Sequence, residues 1–375
     1  MQNERMYHEL LELITTDAAS GQEKAIAEKL IGKLNALGFT VTTDHADEVL
    51  GGNSGNIFAW RDGERPGALL LCSHMDRVPN GLGIRPEERD GVLYSDGTTI
   101  LAADDVSGIC AILEGLRCAV ESGKPLPRLE VLFTVSEETG LFGAKLVDVS
   151  KIQAKIGLFF DSPGPVGRIV NAAPGHYALS ADITGLAAHA GNEPEKGINA
   201  AKIMCDMISS LKQGRLDEIT TSNFPILSTN SRSANVVCDS ASFAGEARSR
   251  DAERLEAYVN YFKEHCQQVA KDAGAEISLR CTETFRAFCI DENHAVIRLA
   301  RAACEAIGVP CLIESGGGGM DANVFNAQGI VSVGIATGYS KNHTKSERLV
   351  LDDFFRSGKL AATMISLYAA EPIAE

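Results

Sequence analysis

Hydrophobic and polar positions change period along this chain, and the changes mark its elements. Residues 4–15 set Met6, Leu10, Leu11 and Ile14 on one face, which predicts an amphipathic helix. A second helix is expected over Gln22–Leu37, closed at Gly38. Runs at Thr40–Asp44, Asn56–Asp62 and Ala68–Ser73 read as strands. Gly81–Thr99 is polar and turn-rich, with Asp-Gly at 90–91 and 96–97. Val106–Ser122 returns to helical spacing, with Ile109, Ile112, Leu113 and Leu116 on one side. Leu129–Val135 and Ile156–Asp161 are short apolar runs of buried-strand character. Strands alternating with helices imply a largely parallel sheet covered on both faces.

Near residue 174 the pattern changes. Tyr177–Thr184 reads as a strand, Asn199–Gln213 as a helix, 225–229 and 235–247 as strands, Asp251–Ala273 as a long helix and Glu276–Thr284 as a strand. Strand-helix-strand-strand-helix-strand predicts a split βαβ layer, four antiparallel strands under two helices. From about 290 the earlier pattern resumes, with helix 294–307, a glycine loop, strand 330–336 and helix 351–369. The expected fold class is therefore α/β, a mixed sheet flanked by helices, with an inserted α+β (ferredoxin-like) domain. The expected bounds are 1–172 and 288–375 for the outer domain and 173–287 for the insert.

Composition narrows the function. At 375 residues the chain can bury a large core, and its formal net charge of -15 argues against nucleic acid or an anionic membrane as partner. The first twenty residues contain no long apolar run, and no stretch is long and apolar enough to span a bilayer. The ten cysteines form no CxxC pair, and Cys72, Cys110, Cys118 and Cys304 lie in apolar runs. Reduced, buried thiols in a cytoplasmic protein are expected.

Chemistry collects where strands end. His74 and Asp76 follow the run GALLLC, Glu137 and Glu138 follow LEVLFTV, Asp161 closes IGLFF, and His343 lies in a polar loop after strand 330–336. Asp104 and Asp105 stand at the head of a helix. Each has a plainer reading: a polar loop, a helix N-cap, a solvated acidic pair, a turn former before Ser-Pro, a bystander histidine. Together, His74, Asp104, Glu138, Asp161 and His343 make the donor mix of a two-zinc hydrolase, with Asp104 able to bridge and Asp105 to cap. Asp76 can orient the His74 imidazole, and Glu137 can act as general base beside the metals.

The set HMD, ADD, SEE, D and H resembles the co-catalytic dizinc metallopeptidases, the family of peptidase T, glutamate carboxypeptidase and aminoacylase. The similarity spans nearly the whole chain. SDGTTILAADD, FTVSEETG, GGGMDANVF and TGYSKNH look most like its peptidase T-like members. The resemblance implies a zinc-peptidase-like fold whose insert serves as lid and dimerisation domain, and a homodimer. It implies the five ligands named above, a bridging Asp104, a cis peptide between Asp104 and Asp105, Asp76 as orienting group and Glu137 as base. It also implies substrate contacts from His189 in GLAAHAG, which would steady the oxyanion in the partner subunit's site, from Asn235 and Arg248, and from the Gly316–Gly319 loop about Gly317. The plain alternatives are a surface strand charge for Arg248 and a flexible linker for the glycines. Val106 stands where peptidase T has a lysine, and Glu314 and Ser315 where it has an arginine, so the outer shell of the substrate site differs.

The function expected is metal-dependent hydrolysis of short peptides, as by an aminopeptidase on tripeptides. Two Zn2+ per subunit, with Mn2+ or Co2+ as substitutes, would activate water, and Glu137 would serve as base. The same site could serve an N-acyl amino-acid deacylase or a carboxypeptidase. A non-catalytic metal-dependent binding protein is the remaining alternative, and both base and ligands speak against it. A nicotinamide enzyme is disfavoured because no GxGxxG follows the first strand.

Overall fold

The computed structural model describes residues 2–371, so the ends of the expected outer domain, residue 1 and 372–375, lie outside the described residues. The chain divides into two compact units. One takes the described residues through Ala172, then Cys289–Gly316 and Met320 onward, and the other takes Ala173–Phe288 with Gly317–Gly319.

The first unit is built on a mixed sheet. Its strands are β1 (Thr40–Thr43), β2 (Ile57–Arg61), β3 (Ala68–His74), β6 (Arg128–Thr134), β7 (Ile156–Ser162), β8 (Arg168–Ala173), β14 (Phe288–Cys289), β15 (Leu312–Ser315) and β16 (Val331–Ala336). They run in the order β1-β2-β6-β3-β7-β16-β8-β14, with β15 beside β8. The four central strands, β6, β3, β7 and β16, are mutually parallel. Antiparallel β1, β2 and β8 flank them, so the sheet is less uniformly parallel than the sequence pattern implies. Every residue of β3 is buried, the signature of a strand covered on both faces. Alternation on β7 sends consecutive phenylalanines to opposite faces. Phe159 packs on Phe325, while Phe160 joins the main apolar core.

Helices cover the sheet. α1 (Gln2–Ile14) and α10 (Leu351–Ala370) pack on α4 (Ala103–Glu121), which itself lies on β3 and β7. α2 (Lys24–Ala36) contacts β1 and β2, and α8 (Ala295–Ile307) contacts α10 and β16. α3 (Ala46–Leu50) and α9 (Asp321–Ala327) both meet α5 (Phe142–Leu146), and α9 also lies on β16 and β7. Gly108 lets α4 settle onto β7. A Cβ there would lie 1.9 Å from the Phe160 carbonyl oxygen. The segment expected only as turns also holds a hairpin, β4 (Pro86–Arg89) and β5 (Val92–Ser95), extended by β18 (Arg348–Val350) and β17 (Tyr339–Ser340). Its turn is Asp90-Gly91, with φ of 51° and 75°, the conformation Asp-Gly favours between paired strands.

The second unit is an antiparallel sheet, β10 (Gly214–Arg215), β11 (Thr220–Thr229), β12 (Ser240–Ser249), β9 (Gly175–Thr184) and β13 (Glu276–Phe285), in that spatial order. Without the two-residue β10, this is the split βαβ arrangement. α6 (Ala200–Ser210) and α7 (Ala252–Asp272) cover it, their first turns capped by Asn199 and Asp251. Its separate core includes Leu179, Ile183, Met207, Phe243 and Phe262. The third long strand starts at Ser240 rather than 235, because Val236 pairs in an isolated bridge with His189. Among the described residues, no helix is long and apolar enough to cross a membrane.

Candidate active site

Four parallel neighbours, β6, β3, β7 and β16, end at one edge of the sheet, where α/β proteins gather ligands. His74 is the last residue of β3, paired in register with Thr134 of β6. Glu137 and Glu138 follow β6, Asp161 is the penultimate residue of β7, and His343 lies beyond β16. Asp104 arrives from the head of α4, on a cis peptide to Asp105.

The five side chains form two groups that share Asp104. His74, Asp104 and Asp161 offer ligand atoms within 4.8 Å of one another, and so do Asp104, Glu138 and His343. Nε2 of His74 is 3.3 Å from Asp104 Oδ1 and 3.9 Å from Asp161 Oδ1. Nε2 of His343 is 3.4 Å from Asp104 Oδ2 and 3.0 Å from Glu138 Oε2. One oxygen of Asp104 thus faces each group, the geometry a bridging carboxylate needs.

Neighbouring groups fix these side chains. Nδ1 of His74 lies 2.9 Å from the Asp76 carbonyl oxygen and 3.5 Å from the Asp76 carboxylate, so the main chain is the closer orienting group. A proton on Nδ1 leaves the Nε2 lone pair free for a cation. The Asp76 carboxylate accepts the backbone N–H groups of Glu137 and Glu138 at 2.9 and 3.2 Å. The Tyr339 hydroxyl donates to Asp161 at 3.2 Å, and the Asn342 amide to Asp104 at 2.7 Å. Buried Glu347 accepts N–H groups from Leu101, Ala102 and Asp104 at 2.9, 3.0 and 3.0 Å. That grip holds the turn in which Ala102 has φ of 58°. Ser136 and His343, at 52° and 61°, are also left-handed, a strained conformation for residues with a Cβ. Asp105 closes no helix cap. Its carboxylate takes the Ser73 hydroxyl instead.

Electrostatics ask for positive charge. Burial pushes the Glu137 carboxyl well above the usual range and also raises Glu138. Burial drives Asp161 up to about 7 and Asp321 to about 6. Burial acts upward on Asp104 too, but His343 and His74 outweigh it and hold this carboxylate below its usual value. Hydrogen bonds to Asp104 and Glu138 raise His343 to about 10. Oε1 of Glu138 and Oδ1 of Asp321 are buried without a hydrogen-bond partner. Crowded carboxylates, an imidazole nitrogen turned into each group and an orphaned oxygen on Glu138 are the donor chemistry of a divalent-cation site. The donor set fits such metals.

The family model for peptidase family M20/M25/M40 matches residues 70–366. The chain belongs to that family. This M20/M25/M40 member is 36% identical over 362 residues to the Bacillus subtilis (strain 168) protein YqjE, covering 96% of this chain and 97% of that one. It is similar to the crystal structure of aminopeptidase PepT from Bacillus cereus ATCC 10987, with TM-score 0.89, 36% identity and 97% and 98% of the two chains covered. It is also similar to a tripeptidase from Staphylococcus aureus subsp. aureus Mu50, with TM-score 0.93, 33% identity and 98% and 99% covered.

The remaining site candidates of this family member lie in the second unit. His189 Nδ1 accepts from the N–H groups of Gly191 and Asn192, and the Ala190 N–H donates to the Asn235 carbonyl at 2.9 Å. Those two loops are therefore joined. Asn235 sits in a turn before β12, not on a strand. Arg248, on β12, donates twice to Glu246 at 3.0 Å, and Glu246 also holds His176. A Cβ on Gly317 would meet nothing within 4 Å. Sequence reasoning missed Glu347, Tyr339 and Asp321. Asp321 and Tyr339 lie in the motifs GGGMDANVF and TGYSKNH without an assigned role, and Glu347 left no such signal.

Proposed function

We propose that the protein hydrolyses peptide bonds in short peptides, using two divalent cations held by His74, Asp104, Glu138, Asp161 and His343. One observation carries this: two three-ligand groups divide the two oxygens of Asp104 between them, and a buried glutamate, Glu137, next in the chain to Glu138, interacts electrostatically with His74 and Asp161. The likeness to an aminopeptidase and a tripeptidase over nearly the full chain supports peptides as substrates. Zinc is the ion that best suits two imidazoles with carboxylates.

When bound, the cations would supply Lewis acidity and a water acidic enough to lose its proton near neutrality. The chain's residues do the rest. Asp104 sets the spacing of the two groups. Glu137, raised in pKa by burial, takes the proton of the attacking water and passes it to the leaving amine. Asp76 keeps Glu137 and Glu138 aimed by holding their amides. The inserted domain, expected over residues 173–287, is proposed as lid and dimerisation domain of a cytoplasmic homodimer. His189, Asn235, Arg248 and Gly317 are proposed as substrate contacts. The motif resemblance supports both of these proposals.

Glu137→Gln keeps the shape and loses the base. Its turnover of a tripeptide panel should fall by about 10²- to 10⁴-fold with the metal count per chain unchanged. Near-normal turnover would remove Glu137 from the mechanism. Comparing free-amine with N-blocked peptides on metal-loaded protein tests the aminopeptidase assignment against deacylase and carboxypeptidase action.

A further inference from the structure

Sheet hydrogen bonding stops where β6 ends at Thr134, yet the next few residues carry the base and a ligand. A loop just past a strand loses the partners that fixed its peptide planes. Here three consecutive amides find carboxylates. The Ser136 N–H goes to Glu23 Oε1 at 3.1 Å, the Glu137 N–H to Asp76 Oδ1 at 2.9 Å and the Glu138 N–H to Asp76 Oδ2 at 3.2 Å. Asp76 is itself steadied by the Ser20 hydroxyl, which donates to Oδ2 at 2.6 Å. Glu23 is fully buried, and its Oε1 also takes the Gly21 N–H at 2.8 Å, which fixes it to its own turn. Ser136, gripped by Glu23, is the residue with left-handed φ of 52°.

We infer that Ser20 and Glu23, on the turn before α2, are positioning residues that clamp the Ser136–Glu138 backbone and so aim the base Glu137 and the ligand Glu138. The inference rests on the reading of Glu137 as base. Neither residue belongs to the cation-binding groups. Their leverage is geometric, since a carboxylate displaced by about 1 Å can cost about a hundredfold in rate.

The test uses the metal-loaded, full-length protein and a tripeptide substrate. Glu23→Ala should lower kcat by about a hundredfold while KM moves less than about threefold. Glu23→Gln still offers an oxygen to both N–H groups and should recover kcat to within about threefold of the parent. Ser20→Ala should lower kcat by about tenfold, and Ser20→Thr should restore it. Unchanged kcat in both alanine variants, with only a lower Tm, would overturn the inference. So would an equal loss of kcat in Glu23→Ala and Glu23→Gln. If Glu23→Ala does not fold, the Ser20 pair decides alone. Glu137→Gln is run beside them. A fully active Glu137→Gln sinks the base assignment itself, whereas an inactive Glu137→Gln beside normal Glu23→Ala and Ser20→Ala sinks only the clamp.

Discussion

The two halves of the candidate metal centre share Asp104 and differ in almost everything else. His74, Asp104 and Asp161 have side chains 2%, 6% and 13% exposed, and they stand on strand ends and the head of a helix. In the other half, Glu138 is as enclosed as Asp104 at 6%, but it stands on a loop, and His343 is 48% exposed on a loop with left-handed φ. The first half is preformed by the sheet. The second depends on loops that have to be held in strained conformations by their neighbours. Sites built on rigid elements lose little on binding an ion, whereas a loop ligand pays an ordering cost each time. The enclosed half should therefore bind its cation more tightly and release it more slowly.

Removing one histidine from each half is the most direct way to break that comparison. His74→Ala takes a proposed ligand from the enclosed group and leaves the Asp104 and Asp161 carboxylates close to each other. Peptidase activity should drop by about a thousandfold or more, with both cations weakened because the Asp161 carboxylate then repels Asp104, which both groups share. His343→Ala should lose one cation per chain and keep the other, as counted by metal analysis after dialysis. Equal metal loss in the two variants would erase the distinction. A chelator titration of the unmodified protein should show two phases, the faster one absent in His343→Ala. Next in size comes Glu347→Ala, which leaves three buried N–H groups at the head of α4 without an acceptor and should cost about 1–3 kcal/mol in denaturant unfolding. An unchanged midpoint would mean that water replaces the carboxylate fully.

What could be read from the sequence follows the same division. β3, β6 and β7 are nearly continuous apolar runs, so their ends were visible and so were the polar residues just past them. Asp104 was ambiguous, because an N-cap and a bridging ligand look alike until distances exist. Glu347 and Glu23 were illegible for another reason. Glu347 acts on Leu101 across 246 positions and Glu23 on Ser136 across 113, and no local pattern encodes a hydrogen bond made by tertiary packing. The β4–β5 hairpin hid in its own composition, since Pro-Glu-Glu-Arg is mostly exposed and lacks the apolar alternation that announces a strand. At the other extreme, Val236 and Val237 supplied apolar character without a ladder and pulled the expected start of β12 too early.

A further effect concerns pH and separates the halves by their charge. In metal-free protein, His343 is raised to about 10 by Asp104 and Glu138. The folded state then holds a proton that the unfolded state releases above its ordinary value near 6.5. His343 therefore stabilises the fold below about 6.5, and this contribution fades as pH climbs toward 10. Asp161 is raised to about 7 by burial, so it too binds its proton more tightly when folded. Its effect on stability is lost earlier, between about 4 and 7. Both signs agree: unfolding midpoints of the metal-free protein should fall as pH rises from about 4 to about 10, with the upper part of the slope reduced in His343→Ala, where His74, its proton also held more tightly, despite burial, by Asp104 and Asp76, carries the remainder. Divalent metal favours the deprotonated ligands and should flatten or reverse the trend. A metal-free protein whose stability rises through that whole range would show that these groups do not meet in solution as they do here.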